Sequence, residues 1–143
     1  MQKMIFVNLP VEDLAVATRF YEAIGCVKNP QFSDGKAASM VWAETITIQL
    51  LTREYFGSFT AKPVADAHRA CEVMLALCLD TRESVDGGID AATAAGGRAD
   101  VRKRMATGWM YNRAVEDPDG HTLELVWMDV AAMAMAASQA ETV

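Results

Sequence analysis

The same order of elements occurs twice along this chain, and a repeat of that kind restricts the fold more than any single motif. Residues 5–9 read as a short strand. Asp13 then opens a helix in which Leu14, Ala17, Tyr21 and Ile24 share one face, and Gly25 closes it as a C-cap. A short segment near Phe32 leads to residues 38–42 and 45–51, two β-rich runs joined tightly enough to predict a hairpin. The second round starts with a strand over residues 72–79. Asp80 and Glu83, at capping-box spacing, open a helix through Val85, Ile89 and Ala92 that stops at Gly96-Gly97, with Gly87 and Gly88 weakening it. Strands near residues 99–102, 109–115 and 122–127 follow. A unit of roughly 50 to 60 residues cannot bury its own sheet, so two modules must pack around a shared surface.

The predicted class is therefore α+β, one domain over residues 1–143: a first module over about 1–52, a connector over 53–70, a second module over about 71–128 and a tail over 129–143. The connector holds Tyr55, Phe56, Phe59, Pro63 and His68 with no clear period. It reads either as a loop packed over the sheet or as a flap over a pocket. The tail, rich in Ala and Met over residues 130–140, is expected to form a short helix that docks on the domain or on a partner subunit.

Composition narrows the function classes. Hydrophobic residues make up 52% and charged residues 22%, the balance of a globular chain. The net charge is −6 with no basic run, which argues against nucleic acid or an anionic membrane as partner. Cys26, Cys71 and Cys78 form no CxxC, and an odd count is a poor disulfide framework, so a reducing cytoplasm is expected. There is no basic start followed by an apolar run, and no uninterrupted apolar stretch of about 18 residues, so neither export nor a membrane span is expected.

The stretch with most chemical content is Glu116-Asp117-Pro118-Asp119-Gly120-His121-Thr122-Leu123-Glu124-Leu125-Val126-Trp127. Asp-Pro-Asp-Gly is turn chemistry: Pro presets φ, Asp bonds its own backbone and Gly accepts positive φ. In the strand that follows, Leu123, Leu125 and Trp127 share a face that must meet a core. Glu124 is pushed to the opposite face, into solvent or into a concavity where a carboxylate binds a metal or moves a proton.

VNLPVEDL, RFYEAIG and EDPDGHTLEL, in this order and within two strand-helix-strand halves, resemble the vicinal oxygen chelate superfamily: the glyoxalase I, bleomycin-resistance and extradiol-dioxygenase-like proteins. The resemblance covers about residues 3–128. More narrowly, MYNR, EDPDGH and WMD are similar to small bacterial proteins described as lactoylglutathione lyase-like. It implies paired βαβββ modules forming a curved mixed sheet with a cup-shaped site, and a homodimer. Metal-dependent relatives place ligands on the first and last strands of each module, which the local motifs carry over to Phe6, Gln49, Met74 and Glu124. Glu124 alone is a carboxylate there. Gln49 is a neutral oxygen donor, and Phe6 and Met74 offer a hard or borderline divalent ion nothing. No tightly bound metal and no other cofactor is expected.

Around that cup, Glu124 is the candidate general base, in an apolar setting, facing Gln49 across the pseudo-twofold; its alternative partners are Gln49 and Tyr111. Asn8 shares a strand face with Phe6, and Asn112 with Met110 and Ala114, so both amides point inward if these strand ends line the cup. Tyr111 and Arg113 fall on the other face, Arg113 as a salt-bridge partner for Glu116 or Asp117. His121 lies at an odd offset from Glu124, which makes it a turn histidine bonding local backbone; His68 is the only other histidine. Cys78 alternates with Met74 and Ala76, toward the cup. Trp42, Trp109 and Trp127, with Phe6 and Met74, supply either an aromatic wall or core packing. Phe6, Asn8, Gln49, Met74, Trp109 and Asn112 are the candidate ligand-binding residues. The partner is a small molecule. Three classes stay open: a lyase or isomerase with Glu124 as proton-transfer base, a bleomycin-resistance-type binding protein without turnover, and a structural domain whose own side chains fill the cup.

Overall fold

A computed structural model describes residues 1–141. The first module is β1 (Ile5–Val11), α1 (Leu14–Ala23), β2 (Val27–Asn29), β3 (Ala37–Ala43) and β4 (Ile46–Thr52), in the sheet order β1-β4-β3-β2. The second is β5 (Met74–Leu79), α3 (Arg82–Ala94), β6 (Arg98–Ala99), β7 (Met105–Ala106), β8 (Met110–Glu116) and β9 (Thr122–Met128), in the order β5-β9-β8-β6, with β7 also paired to β8. In each sheet the first strand runs parallel to the last and the remaining pairs are antiparallel. Both sheets are therefore mixed, neither closes into a barrel, and the βαβββ order holds twice.

Local chemistry explains the helices. Asp13 caps α1 by accepting from the backbone N–H of Ala15 and Val16 at 2.9 and 3.1 Å. The cap of α3 is Thr81, not Asp80: its Oγ1 accepts from Ser84 N at 3.0 Å, one residue beyond the predicted start. At Gly88 a Cβ would meet Leu125 Cδ1 at 2.7 Å, so the residue that lowers helix propensity also lets α3 lie close on its sheet.

Strand alternation sends one face of each sheet to a single core. Leu9, Val11, Met40, Ile48 and Leu50 from the first module join Leu77, Val115, Leu123 and Leu125 from the second, with Phe20, Val85 and Ile89 of the helices between. Trp42 and Trp127 pack against that core, so they are core side chains and not a wall of the cup. The Cys26 thiol is buried there, and desolvation pushes it up to about 12.

The motif around the β8–β9 turn ties the modules together. Tyr21 OH on α1 donates to Asp117 Oδ2 at 2.7 Å, both side chains being buried, and Asp119 Oδ1 accepts from Glu12 N at 2.8 Å. His121 Nε2 lies 2.7 Å from the carbonyl of Pro10, at the far end of the first module. The expectation of a histidine bonding local backbone is corrected: its side chain bonds a remote carbonyl. Burial raises Asp117 and Tyr21 above their ordinary values.

Two further departures bear on the site. The connector, read as aperiodic, contains a short helix α2 (Arg53–Gly57) capped by Thr52, and it lies against β1 and β4. The strand expected at 99–102 is cut to Arg98–Ala99, and the chain leaves the sheet over 100–104 before rejoining it as β7. The tail forms α4 (Val130–Glu141), close to the predicted span.

Candidate functional site

The face of each sheet turned away from the core defines two half-cups. In the first, Asn8 pairs with Gln49 and Phe6 with Thr47, while Ser39 and Val41 continue the face from β3. In the second, Met74 pairs with Thr122, Ala76 with Glu124 and Cys78 with Val126, while Asn112 and Ala114 continue it from β8. Phe6 and Gln49 thus stand on the same diagonal in one module as Met74 and Glu124 in the other, which is the repeat expressed in side-chain positions. The two pairs lie in separate sheets. Phe6 and Met74, 52% and 56% exposed, line the outer edges.

The first half-cup is neutral and covered. Phe56 and Phe59 of the connector, with Thr60, enclose a cleft against Asn8 and Leu51. The Gln49 Oε1 atom is buried and has no hydrogen-bond partner among the described residues. A buried carbonyl oxygen without a donor carries the full desolvation cost of that group.

The second half-cup is charged, and its central cation was not foreseen. Glu124 Oε2 is ion-paired with Arg102 Nη2, which also donates to Asn112 Oδ1, while Arg102 Nη1 donates to the carbonyl of Lys103 at 3.1 Å. The side chains of Arg102 and Glu124 are 28% and 19% exposed. The expected apolar setting for Glu124, with Gln49 or Tyr111 as partner, is corrected by this guanidinium.

Arg102 reaches Glu124 because the chain between β6 and β7 is built to leave the sheet. Asp100 adopts φ 53°, a left-handed conformation that is uncommon outside glycine and tolerated by Asp. Its carboxylate is gripped by Arg113 through Nε at 3.1 Å and Nη2 at 2.8 Å, and Arg104 adds a contact at 3.3 Å. Arg113 Nη1 also reaches Asp86 on α3 at 2.9 Å. Arg113 is therefore an ion-pair residue, as expected, but its partners are Asp86 and Asp100. Glu116 instead takes Arg98. The Arg113 fork holds Asp100 down at about 2, and hydrogen bonds from Tyr111 and Arg113 lower Asp86. No apolar period marks residues 100–104; the run Arg102-Lys103-Arg104 in an acidic chain was the available signal.

The remaining candidates separate. Trp109 precedes β8, out of step with Met110, Asn112 and Ala114 on the cup face. Cys78 is on the cup face and exposed. His68 lies beside Gly120, where a Cβ would come within 2.7 Å of His68 N. Among the described residues no three His, Cys, Asp or Glu side chains form a group able to hold a metal. The donors at the four carried-over positions do not fit a divalent ion either: two are Phe and Met, and the one carboxylate is already neutralised by Arg102.

No protein-family model and no curated protein matches this sequence. Solved structures do. Hypothetical protein SA1046 from S. aureus is 25% identical, with a TM-score of 0.74 over 89% of this chain and 94% of its own. A glyoxalase/bleomycin resistance protein/dioxygenase family enzyme from Burkholderia phytofirmans PsJN is 17% identical, with a TM-score of 0.72 over 90% of this chain and 100% of its own. The fosfomycin resistance protein FosX from Mesorhizobium loti is 12% identical, with a TM-score of 0.66 over 93% and 98%. The chain thus has the fold of the glyoxalase, bleomycin-resistance and dioxygenase proteins, the architecture its motifs imply.

Proposed function

We propose that this chain is a member of the vicinal oxygen chelate superfamily that binds a small organic anion in its second half-cup, without a tightly bound divalent metal or other cofactor. The observation that carries this reading is the guanidinium of Arg102, seated against the one carboxylate that the superfamily's metal positions retain here. Its Nε–H and one Nη1–H have no partner among the described residues, and neighbouring Lys103 makes no ion pair among them. Guanidinium donors match carboxylate oxygens in geometry and charge.

Binding without turnover is the better-supported form, because the Glu124 carboxylate is engaged by Arg102, whose Nη2 is also held by Asn112 Oδ1. A lyase or isomerase reaction with Glu124 as base is the second reading. It is favoured by the placement of Arg102 on a segment that leaves the sheet, so that a ligand drawing the guanidinium away frees the carboxylate. Glu124→Gln separates the two: an enzyme loses turnover and keeps ligand affinity.

A homodimer is supported by exposed Met4, Ile5 and Phe6 at β1 and Val73 and Met74 at β5, both edge strands. Light scattering on the eluted protein tests it, a monomer mass refuting it. A nucleic-acid partner is disfavoured by the net charge of −6. No helix among the described residues is long and apolar enough to cross a membrane. The three free cysteines support a reducing, cytoplasmic setting.

The first test pairs elemental analysis of never-chelated protein with calorimetric titration of acetate, inorganic phosphate and neutral acetamide. The expected result is far less than one metal ion per chain, and binding of an anion that falls about tenfold or more in Arg102→Met. A metal near one per chain, or anion binding unaffected by Arg102→Met, overturns the reading.

A further inference from the structure

Beneath the connector lies a cleft of about 300 Å³, set between the two modules. Asn8 and Pro10 reach it from β1, Gly120 and His121 from the turn before β9, and Glu72 and Val73 from the segment that leads into β5. None of Arg102, Asn112 and Glu124 lines it, so a ligand held here occupies a site of its own.

The roof is fixed by bonds within the chain. Arg53 donates to the carbonyls of Val64 and Ala65 at 3.1 and 3.2 Å, and Asp66 accepts from the backbone N–H groups of His68, Arg69 and Ala70. A cleft formed in advance loses little conformational freedom when it is filled.

The lining combines two kinds of chemistry. Leu9, Pro10, Phe56, Pro63 and Val73 make most of the wall apolar. Lys62 of the connector and Glu72 also line it, both exposed, and neither makes an ion pair with the other or with any other described residue. A simple carboxylate would gain Lys62 and be repelled by Glu72, and a simple amine would meet the reverse. A zwitterion satisfies both charges. Uncharged recognition comes from two more groups. The Asn8 side-chain amide makes no hydrogen bond to another described residue. His121 carries its proton on Nε2, because the Pro10 carbonyl at 2.7 Å only accepts, which leaves Nδ1 of the neutral ring as an acceptor. An apolar cleft with few converging polar groups is the form of a small-ligand site.

We infer that this cleft binds a free apolar α-amino acid, with its ammonium toward Glu72, its carboxylate toward Lys62 and its side chain against Phe56 and Pro63. The site is independent of Arg102.

Calorimetric titration of the full chain with L-phenylalanine, phenethylamine and glycine tests it. L-Phenylalanine is expected to bind, phenethylamine to bind about fivefold more weakly for want of the carboxylate, and glycine about tenfold or more weakly for want of the ring. Ala67→Trp fills the cleft and removes the advantage of L-phenylalanine over glycine. Lys62→Met and Glu72→Gln, both on exposed side chains, each weaken L-phenylalanine about fivefold and keep the test open if Ala67→Trp fails to fold. The inference is overturned by any of four results: no saturable binding of L-phenylalanine, phenethylamine bound as tightly, an advantage over glycine that survives Ala67→Trp, or an affinity unchanged in both charge variants.

Discussion

The two modules share a fold and a register but not a chemistry. At matched positions on their last strands, Gln49 buries an oxygen with no donor among the described residues, whereas Glu124 holds a guanidinium. Each side chain satisfies the same parity rule, since both face away from the core. The difference lies in what the second strand of the module does. In the first module β2 is one short edge strand, Val27–Asn29, paired to β3. In the second, the equivalent edge beside β8 is split into β6 and β7, and the excursion between them delivers Arg102. A duplicated scaffold thus keeps backbone pairing in both copies while one irregular segment decides the electrostatics of a cup.

The largest expected effect breaks the frame common to both modules. Tyr21→Phe removes a buried hydrogen bond to a buried carboxylate and should destabilise by about 2 kcal/mol, a drop in Tm of roughly 5 °C. Calorimetric melting checks it, and an unchanged Tm would show that the tie between α1 and the β8–β9 turn is dispensable.

Next, the neutral half-cup should gain where the charged one loses. Gln49→Leu replaces an unpartnered polar group by an apolar one of similar size and should stabilise by about 1 kcal/mol in ligand-free protein. Urea unfolding measures this; a loss of stability instead would mean that Gln49 has a partner in solution.

Smaller is the pair itself. Arg102 and Glu124 are partly exposed, so a double-mutant cycle of Arg102→Met and Glu124→Gln should give a coupling below about 1 kcal/mol, decreasing with salt. A coupling near zero at low salt would remove Arg102 from the cup.

The smallest signal is in acid. Asp100 is held at about 2 by Arg113, below its unfolded value, so its contribution to stability is complete above about pH 4 and is lost as pH falls through about 2. Asp117 has the opposite sign: burial raises it, so its contribution is present in acid and is lost as pH rises through the raised value. Asp100→Asn should flatten the acid limb, read as urea midpoints at descending pH. An unchanged limb would separate Asp100 from Arg113.

Much of this was legible because strand and helix periods are local. Alternation in residues 122–127 places Leu123 and Leu125 in the core and Glu124 on the other face, and the same parity separates Arg113 from Asn112. Partners were not legible, since a guanidinium reaches several carboxylates and only packing selects among them. Glu116 and Asp117 are the acids nearest Arg113 in sequence, yet it pairs with Asp86 and Asp100. His121 illustrates the same limit: its turn was evident, its bond to Pro10 was not.

What the amino-acid sequence determined by itself is therefore the set of choices made within a few residues: the turn at 117–120, the cap at Asp13, the end of α1 (where Ile24 is the cap, one residue earlier than predicted, and left-handed Gly25 follows it), the repeat of elements, and the face on which each strand residue stands. Those follow from backbone sterics and short-range hydrogen bonds, which are the same in any context. Tertiary structure alone decided that Arg102 enters the cup, that the connector roofs the first half-cup, and that Tyr21 meets Asp117. Each of these joins elements whose separation in space is set by the packing of the whole core, and no local rule carries that distance.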